Sequence, residues 1–307
     1  EQEDSYATEM VSRPRFYYAE QRIVENLQRL LEVESFSQAA AENELVATQE
    51  RRLGIRLDTV QHQAIHGALK NKVLIITGGP GTGKTTLVRF IIGVMSRTIP
   101  AMALAAPTGR AAKRLKETTG MQASTIHLLL EADNTGFQRN RDHPLEVELL
   151  SIDETSMIDT LLMDVLLEAI PSPARLVLVG DVDQLPSVGP GTVLRDLIES
   201  QLDPVIRLEH IYRQSIDSLL TNNAHKVRRG VMPELPRTTQ YEKLKDFYFI
   251  QESEPEQIVE KIIAMVSARI PKRFGCDPFS EIQVLTPMHR GATGSINLNQ
   301  KLQSVLN

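Results

Sequence analysis

Nine residues constrain this chain's fold more than any others: Gly78–Thr86, which read GGPGTGKTT. They follow the apolar run VLIIT and open LVRFIIGVM, which has the composition of a buried helix. Strand, glycine-rich turn and helix in that order make a phosphate-binding loop. Glycines let successive backbone N–H groups turn inward, and the helix N-terminus adds further donors. Gly79, Pro80, Gly81, Thr82, Gly83, Lys84, Thr85 and Thr86 are thus the candidate nucleotide-binding residues. Lys84 is expected to reach the β- and γ-phosphates, and Thr85 to place its hydroxyl on Mg2+.

Such a loop needs a sheet behind it. Apolar runs at Val73–Thr77, Met102–Ala106, Glu148–Ile152 and Leu176–Gly180 alternate with helical patterns near 84–95, 109–118 and 160–169. Strands that are apolar almost throughout belong to a parallel sheet covered on both faces, so the fold class is α/β, a P-loop NTPase. This first domain is expected over 57–204. The polar segment Glu131–Leu145, with Gly136 and Pro144, interrupts it as an inserted loop or short hairpin. Residues 1–56 read as a small acidic helical module, with Ile23, Val24, Leu27, Leu30 and Leu31 at helix spacing and a second run over Ser37–Leu53. A second α/β set is expected over 205–307. Its strands would be Val205–Leu208, Phe247–Ile250 and Ile282–Thr286, and its helices would lie near 216–229, 255–269 and 295–306. With so few strands, it reads as an incomplete domain.

The metal needs a carboxylate at the end of a neighbouring strand, and LLSIDETSMID provides Asp153 with Glu154 beside it. Asp153 can hold Mg2+, and Glu154 can orient or deprotonate an attacking water. LVLVGDVDQLPSVGPG, residues 176–191, offers Gln184 as a sensor of the γ-phosphate or the water, with Asp181 and Asp183 to position it. Glycine and proline there also suit a plain structural turn.

Composition narrows the partners. The chain of 307 residues has a formal charge of −5, but residues 1–50 carry 11 acidic and 4 basic side chains, leaving the remainder at about +2. One cysteine, Cys276, excludes an internal disulfide or thiolate cluster and fits a reducing compartment. No apolar run approaches the roughly 18–20 residues that span a bilayer, so a cytoplasmic location without membrane contact is expected. With no tryptophan and 5% aromatic residues, base stacking on many rings is a poor candidate for gripping single strands.

In order along the chain, GGPGTGKTT, APTGRAAKRL (106–115), STIHLLL (124–130), IDETSMID (152–159), LVGDVDQLPSVGPG (178–191), YRQ (212–214) and LTPMHRGATGSINLNQKLQ (285–303) together resemble the RecD-like branch of superfamily 1 DNA helicases. This group includes the exodeoxyribonuclease V alpha chain. The resemblance runs from about residue 57 to the end. It implies two RecA-like motor domains, ATP and Mg2+ as cofactors, and movement 5′ to 3′ on single-stranded DNA or on duplex with a single-stranded end. Gln61 matches the adenine-reading glutamine, although a glutamine at a helix start is ordinarily a surface residue. Arg213 matches the arginine that reaches the γ-phosphate from the second domain, with ATP between the domains.

The resemblance also places DNA contacts at Pro107, Thr108, Gly109, Arg110, Thr125 and His127, and in the second domain at Thr286, Pro287, His289 and Arg290. On bare chemistry Thr108 is equally a helix cap, with Lys113 and Arg114 on a solvated face, and His127 reads as half-buried. Asn297 and Asn299 match the LN signature with less certain roles. The family's later TxHKxQG-type motif and terminal arginine motif do not occur by Asn307, so weak or no unwinding is expected of 1–307. Equal unwinding rates for 1–307 and a full-length chain would contradict this. The N-terminal module is the place for a contact with partner subunits of a repair or recombination complex, the alternative being that its helices simply pack on residues 57–72. Two alternatives stay open: a P-loop motor acting on RNA or protein, and a non-hydrolysing DNA-binding scaffold.

Overall fold

The computed structural model describes residues 12–32, 39–201, 204–210, 218–236 and 246–307. They divide into two compact units, Glu1–Pro233 and Glu234–Asn307.

The first unit is built on a six-stranded, all-parallel sheet. Its strands are β1 (Val73–Gly78), β2 (Met102–Ala106), β3 (Ala123–Thr125), β6 (Leu149–Ile152), β7 (Arg175–Gly180) and β8 (Val205–Leu208), in the order β3-β2-β6-β7-β1-β8. β1 shows why an unbroken apolar run is required. Successive side chains leave a strand on opposite faces. Val73 and Ile75 enter one hydrophobic core, and Leu74 and Ile76 enter the other. All four are fully buried, each contributing about 1.5–3 kcal/mol.

Helices α3 (Thr59–Lys70), α4 (Lys84–Met95), α5 (Gly109–Thr119), α7 (Thr160–Ala169) and α8 (Val193–Ser200) supply residues to the two cores. Side chains cap the starts of α3, α5 and α7. Asp58 and Gln61 form a reciprocal capping box on α3, and Asp159 Oδ1 accepts the Leu162 amide at 2.8 Å on α7. The segment Glu131–Leu145 contains the expected hairpin in miniature. Strands β4 (Ala132–Asp133) and β5 (Gly136–Phe137) pair antiparallel behind the short helix α6 (Ile126–Leu129).

The N-terminal helices are not a separate module. α1 (Pro14–Leu31) buries Ile23, Leu27 and Leu30 in one core, and α2 (Ala39–Leu53) sends Val46 into the other. Arg22 forks onto Asp164 of α7, with Nε at 3.0 Å from Oδ1, and Arg29 bonds Ser172 Oγ and the Leu167 carbonyl, both at 2.9 Å. The amphipathic stripe thus packs on the motor itself, in both of its cores.

The expected boundary at residue 205 also moves. Val205–Leu208 is a strand, but it pairs with β1 as the sheet's edge. The helix expected near 216–229 is α9 (Leu219–Arg228) and lies in the first unit. In the second unit the described residues form helices α10 (Pro255–Ala264), α11 (Ile270–Phe274) and α12 (Ser295–Leu306). Among those residues Phe247–Ile250 and Ile282–Thr286 form no strand of two or more residues. A π-helical turn, Met265–Arg269, joins α10 to α11. Pro271 lacks the N–H that would bond the Ser267 carbonyl, which accounts for irregularity there. Among the described residues, no helix is long and apolar enough to cross a membrane.

Candidate nucleotide site and its flanking loops

In a parallel sheet every carboxyl end lies on one edge, and ligands bind where the chain reverses its direction across the strands. Here the chain leaves β1 for β2 on one side and later crosses from β7 past β1 to β8 on the other. The glycine-rich loop stands at that point. Gly81 (φ 77°) and Gly83 (φ 83°) adopt left-handed backbone that favours glycine. Gly78 has a different reason to lack a side chain, since an added Cβ would stand 2.7 Å from the Leu208 carbonyl oxygen of β8.

Within the loop, Thr82 Oγ1 donates to the Gly79 carbonyl at 2.8 Å. The Lys84 ammonium donates to the carbonyls of Gly78 (2.5 Å) and Gly79 (3.1 Å). Burial pushes Lys84 below its ordinary range, against the opposing charges of Asp181, Glu154 and Asp153. Burial likewise lifts Asp153 above the usual carboxylate range, while the Glu154 amide, 2.9 Å from Oδ1, and the charges of Lys84 and Arg114 act the other way. A cation short of an anion beside a carboxylate short of a cation is a donor set that fits phosphate with a divalent metal.

Glu154 has φ 55° and ψ 40°, left-handed geometry for a non-glycine residue, which costs about 1–3 kcal/mol and sets its carboxylate apart from the strand axis. Gln184 lies on the exposed loop after β7, where its amide donates to the Asp181 carbonyl at 3.1 Å. That loop is anchored on the start of α7. The Thr160 amide donates to the Pro190 carbonyl at 3.0 Å, and a Cβ on Gly191 (φ 103°) would lie 2.0 Å from Thr160 Oγ1.

Gln61 is buried, and its Oε1 already accepts the Asp58 amide at 3.1 Å. The helix cap thus uses one of the two lone pairs on Oε1 of the side chain expected to pair with an adenine, and Nε2 carries two donor hydrogens. Arg213 lies outside the described residues.

Thr108 and Thr125 follow or end β2 and β3, and both cap helices: Oγ1 accepts the Ala111 amide at 3.2 Å and the Leu128 amide at 3.1 Å, respectively. Gly109 beside Thr108 has open space within 4 Å of an added Cβ. His127 is exposed rather than half-buried, its ring 5.6 Å from that of Phe137 in the hairpin. Arg114 is close enough to shift Asp153 and Lys84, which the solvated-face reading did not anticipate.

In the second unit, Thr286 Oγ1 donates to the Thr293 carbonyl at 2.8 Å, and His289 Nδ1 lies 2.9 Å from Ser295 Oγ. Pro287 and Arg290 are exposed in the same loop. Asn297 Nδ2 bonds the Ala292 carbonyl at 2.6 Å, a structural role.

Sheet, loop and carboxylates define a P-loop ATPase fold on a RecA-like parallel sheet, and the family described as an AAA domain matches residues 61–190. The chain is 33% identical over 294 residues to the ATP-dependent RecD2 DNA helicase of Deinococcus radiodurans, covering 96% of this chain and 38% of that one. It is 37% identical over 199 residues to the RecBCD enzyme subunit RecD of Mycolicibacterium smegmatis, covering 55% and 35%. The Pif1 helicase structure from Candida albicans aligns with a TM-score of 0.47 at 26% identity, over 59% of this chain and 46% of that one. Over the matched stretches the chain is similar to RecD-type DNA helicases. It spans little more than a third of the length of those two relatives.

Proposed function

We propose that this chain is the ATP-hydrolysing part of a DNA helicase that moves along single-stranded DNA, 5′ to 3′, in repair or recombination. One observation carries the reading. Lys84, Asp153 and Asp181 stand at the carboxyl ends of three adjacent strands, and Thr108 and Thr125 lie at the carboxyl ends of two more on the same sheet edge. The phosphate chemistry and the candidate DNA-contacting segments thus share one rigid element.

In this reading the loop amides and Lys84 bind the ATP phosphates, and Gln61 Nε2 donates to the adenine. Thr85 and Asp153 would hold Mg2+, which neutralises charge on the β- and γ-phosphates. Glu154 accepts the proton of the attacking water, and Gln184 orients that water. Arg213 would meet the γ-phosphate. DNA phosphates would be met by Pro107, Thr108, Gly109, Arg110, Thr125 and His127, and by Thr286, Pro287, His289 and Arg290. Residues 234–307 would be part of a second RecA-like domain, and a cytoplasmic setting fits the single thiol.

ATP turnover with and without single-stranded DNA tests the reading. Stimulation by DNA that Lys84→Ala abolishes is the expected result. Stimulation by RNA or protein alone, or no turnover in the full-length protein, would replace the reading with one of the alternatives.

A further inference from the structure

The helix α9 ends in HKVRR, residues 225–229, and belongs to none of the motifs considered so far. It lies on the phosphate loop. A Cβ added to Gly79 would stand 3.1 Å from His225 Cε1 and 3.2 Å from Arg228 Nη1. The same residue's carbonyl receives the Lys84 ammonium. Three basic side chains from two helices therefore converge on one glycine of GGPGTGKTT.

Their present partners are weak ones. Arg228 Nη1 is 3.3 Å from Asp183 Oδ2, and the two side chains are 32% and 42% exposed. A single long contact so open to water is readily exchanged. His225 Nε2 is buried and has no hydrogen-bond partner. Burial first, then the charges of Arg228 and Arg229, hold its imidazole below the ordinary histidine range, with Asp181 opposing, which favours the neutral ring. A neutral imidazole presents one N–H donor, and in the tautomer with that hydrogen on Nε2 the ring has an unpartnered donor for an anionic oxygen beside the phosphate loop.

We propose that His225 and Arg228 form a γ-phosphate contact of the ATP site: Arg228 exchanges Asp183 for a terminal phosphate oxygen, and His225 Nε2 donates to the same group. The inference rests on the reading of Gly78–Thr86 as a nucleotide site and adds residues to it. It makes α9 an element that distinguishes ATP from ADP. A well-aligned charge-assisted bond to a phosphate would be stronger than the single 3.3 Å contact with Asp183 that it replaces.

The test is equilibrium binding of fluorescent ADP and of a fluorescent non-hydrolysable ATP analogue, with Mg2+, to the 1–307 chain. Arg228→Ala is expected to weaken the ATP analogue about tenfold, the effect of one charged hydrogen bond, with ADP changed less than about twofold. His225→Ala acts in the same direction and less strongly. Asp183→Asn keeps Arg228 and frees it from the carboxylate, so the ATP analogue should bind severalfold tighter. That gain is one a merely structural Arg228 would not produce, and it keeps the test informative if Arg228→Ala unfolds. Equal losses for both nucleotides, or no change in any variant, would overturn the inference while leaving the nucleotide site standing. A wild-type chain that binds neither nucleotide, with Lys84→Ala indistinguishable from it, would overturn the underlying reading instead.

Discussion

Two apolar runs in this molecule are nearly alike as sequence and unlike as structure. VLIIT at 73–77 and IQVLT at 282–286 each end in threonine and lead into a glycine-containing loop. The first is bonded to β7 on one side and β8 on the other, and Val73, Leu74, Ile75 and Ile76 are fully buried. The second forms no ladder among the described residues, and Leu285 is 84% exposed. Strand propensity records how well a residue fits a pleated, half-buried surface; the neighbours create that surface. The loops that follow differ accordingly. The first is braced by the close approach of Leu208 to Gly78, and the second, among the described residues, by short-range bonds such as Thr286 to Thr293, His289 to Ser295 and Asn297 to Ala292.

Substitutions on the two sides should separate sharply. Lys84→Ala removes the charge that the loop's carbonyls hold in place, and ATP turnover should fall about 10²–10³-fold in a steady-state assay. Turnover within twofold of wild type would remove the chemistry from this side of the comparison. Ile76→Ala opens a void in a fully buried strand and should cost about 2–5 kcal/mol in urea unfolding. Arg22→Ala strands the buried Asp164 carboxylate. Because the arginine is 46% exposed and water can relieve the loss, the expected cost is about 1–2 kcal/mol.

Asp153→Asn should abolish turnover and slightly raise the thermal midpoint at neutral pH. The fold holds this carboxyl above its ordinary range, so the folded chain binds the proton more tightly than the unfolded one. The cost of the charge is therefore absent below the unfolded pKa and fully felt once pH exceeds the folded pKa. Melting at about pH 3 should show no gain, and a gain at that pH would refute the assignment. Leu285→Ala comes last, within about 0.5 kcal/mol of wild type, as befits an exposed site. A cost like that of Ile76→Ala would show that 282–286 is packed like a sheet strand after all.

What the sequence made legible follows the same line. Strands β1, β2, β6 and β7 and helices α4, α5 and α7 were readable to within a residue, the strands as unbroken apolar runs and the helices by their period, with caps on α5 and α7. The loop, Asp153 and Glu154 were readable because their chemistry needs a strand end, which apolar runs advertise. Three features left no local mark. Ala123–Thr125 is too short and small for a strand signal, yet it completes the sheet's edge beside β2. Val205–Leu208 looked like a strand, but nothing in four residues says which sheet it joins. The approach of His225 and Arg228 to Gly79 depends on a return of the chain across about 150 positions, which no window along the sequence can register. Gln61 has a second role that its spacing from Asp58 spells out, the reciprocal capping box at the start of α3.

The placement of α1 and α2, one lining each face of the sheet, limits how modular this motor can be. A catalytic cassette cut at the borders of the matched stretch, 61–190, would lose Ile23, Leu27 and Leu30 from one layer and Val46 from the other, along with the edge strand that braces the loop. Such a graft would carry the phosphate loop, Asp153, Glu154 and Gln184 and still expose two greasy wounds. Shuffling of this engine between proteins must therefore move the acidic leader and the edge strand along with the motifs.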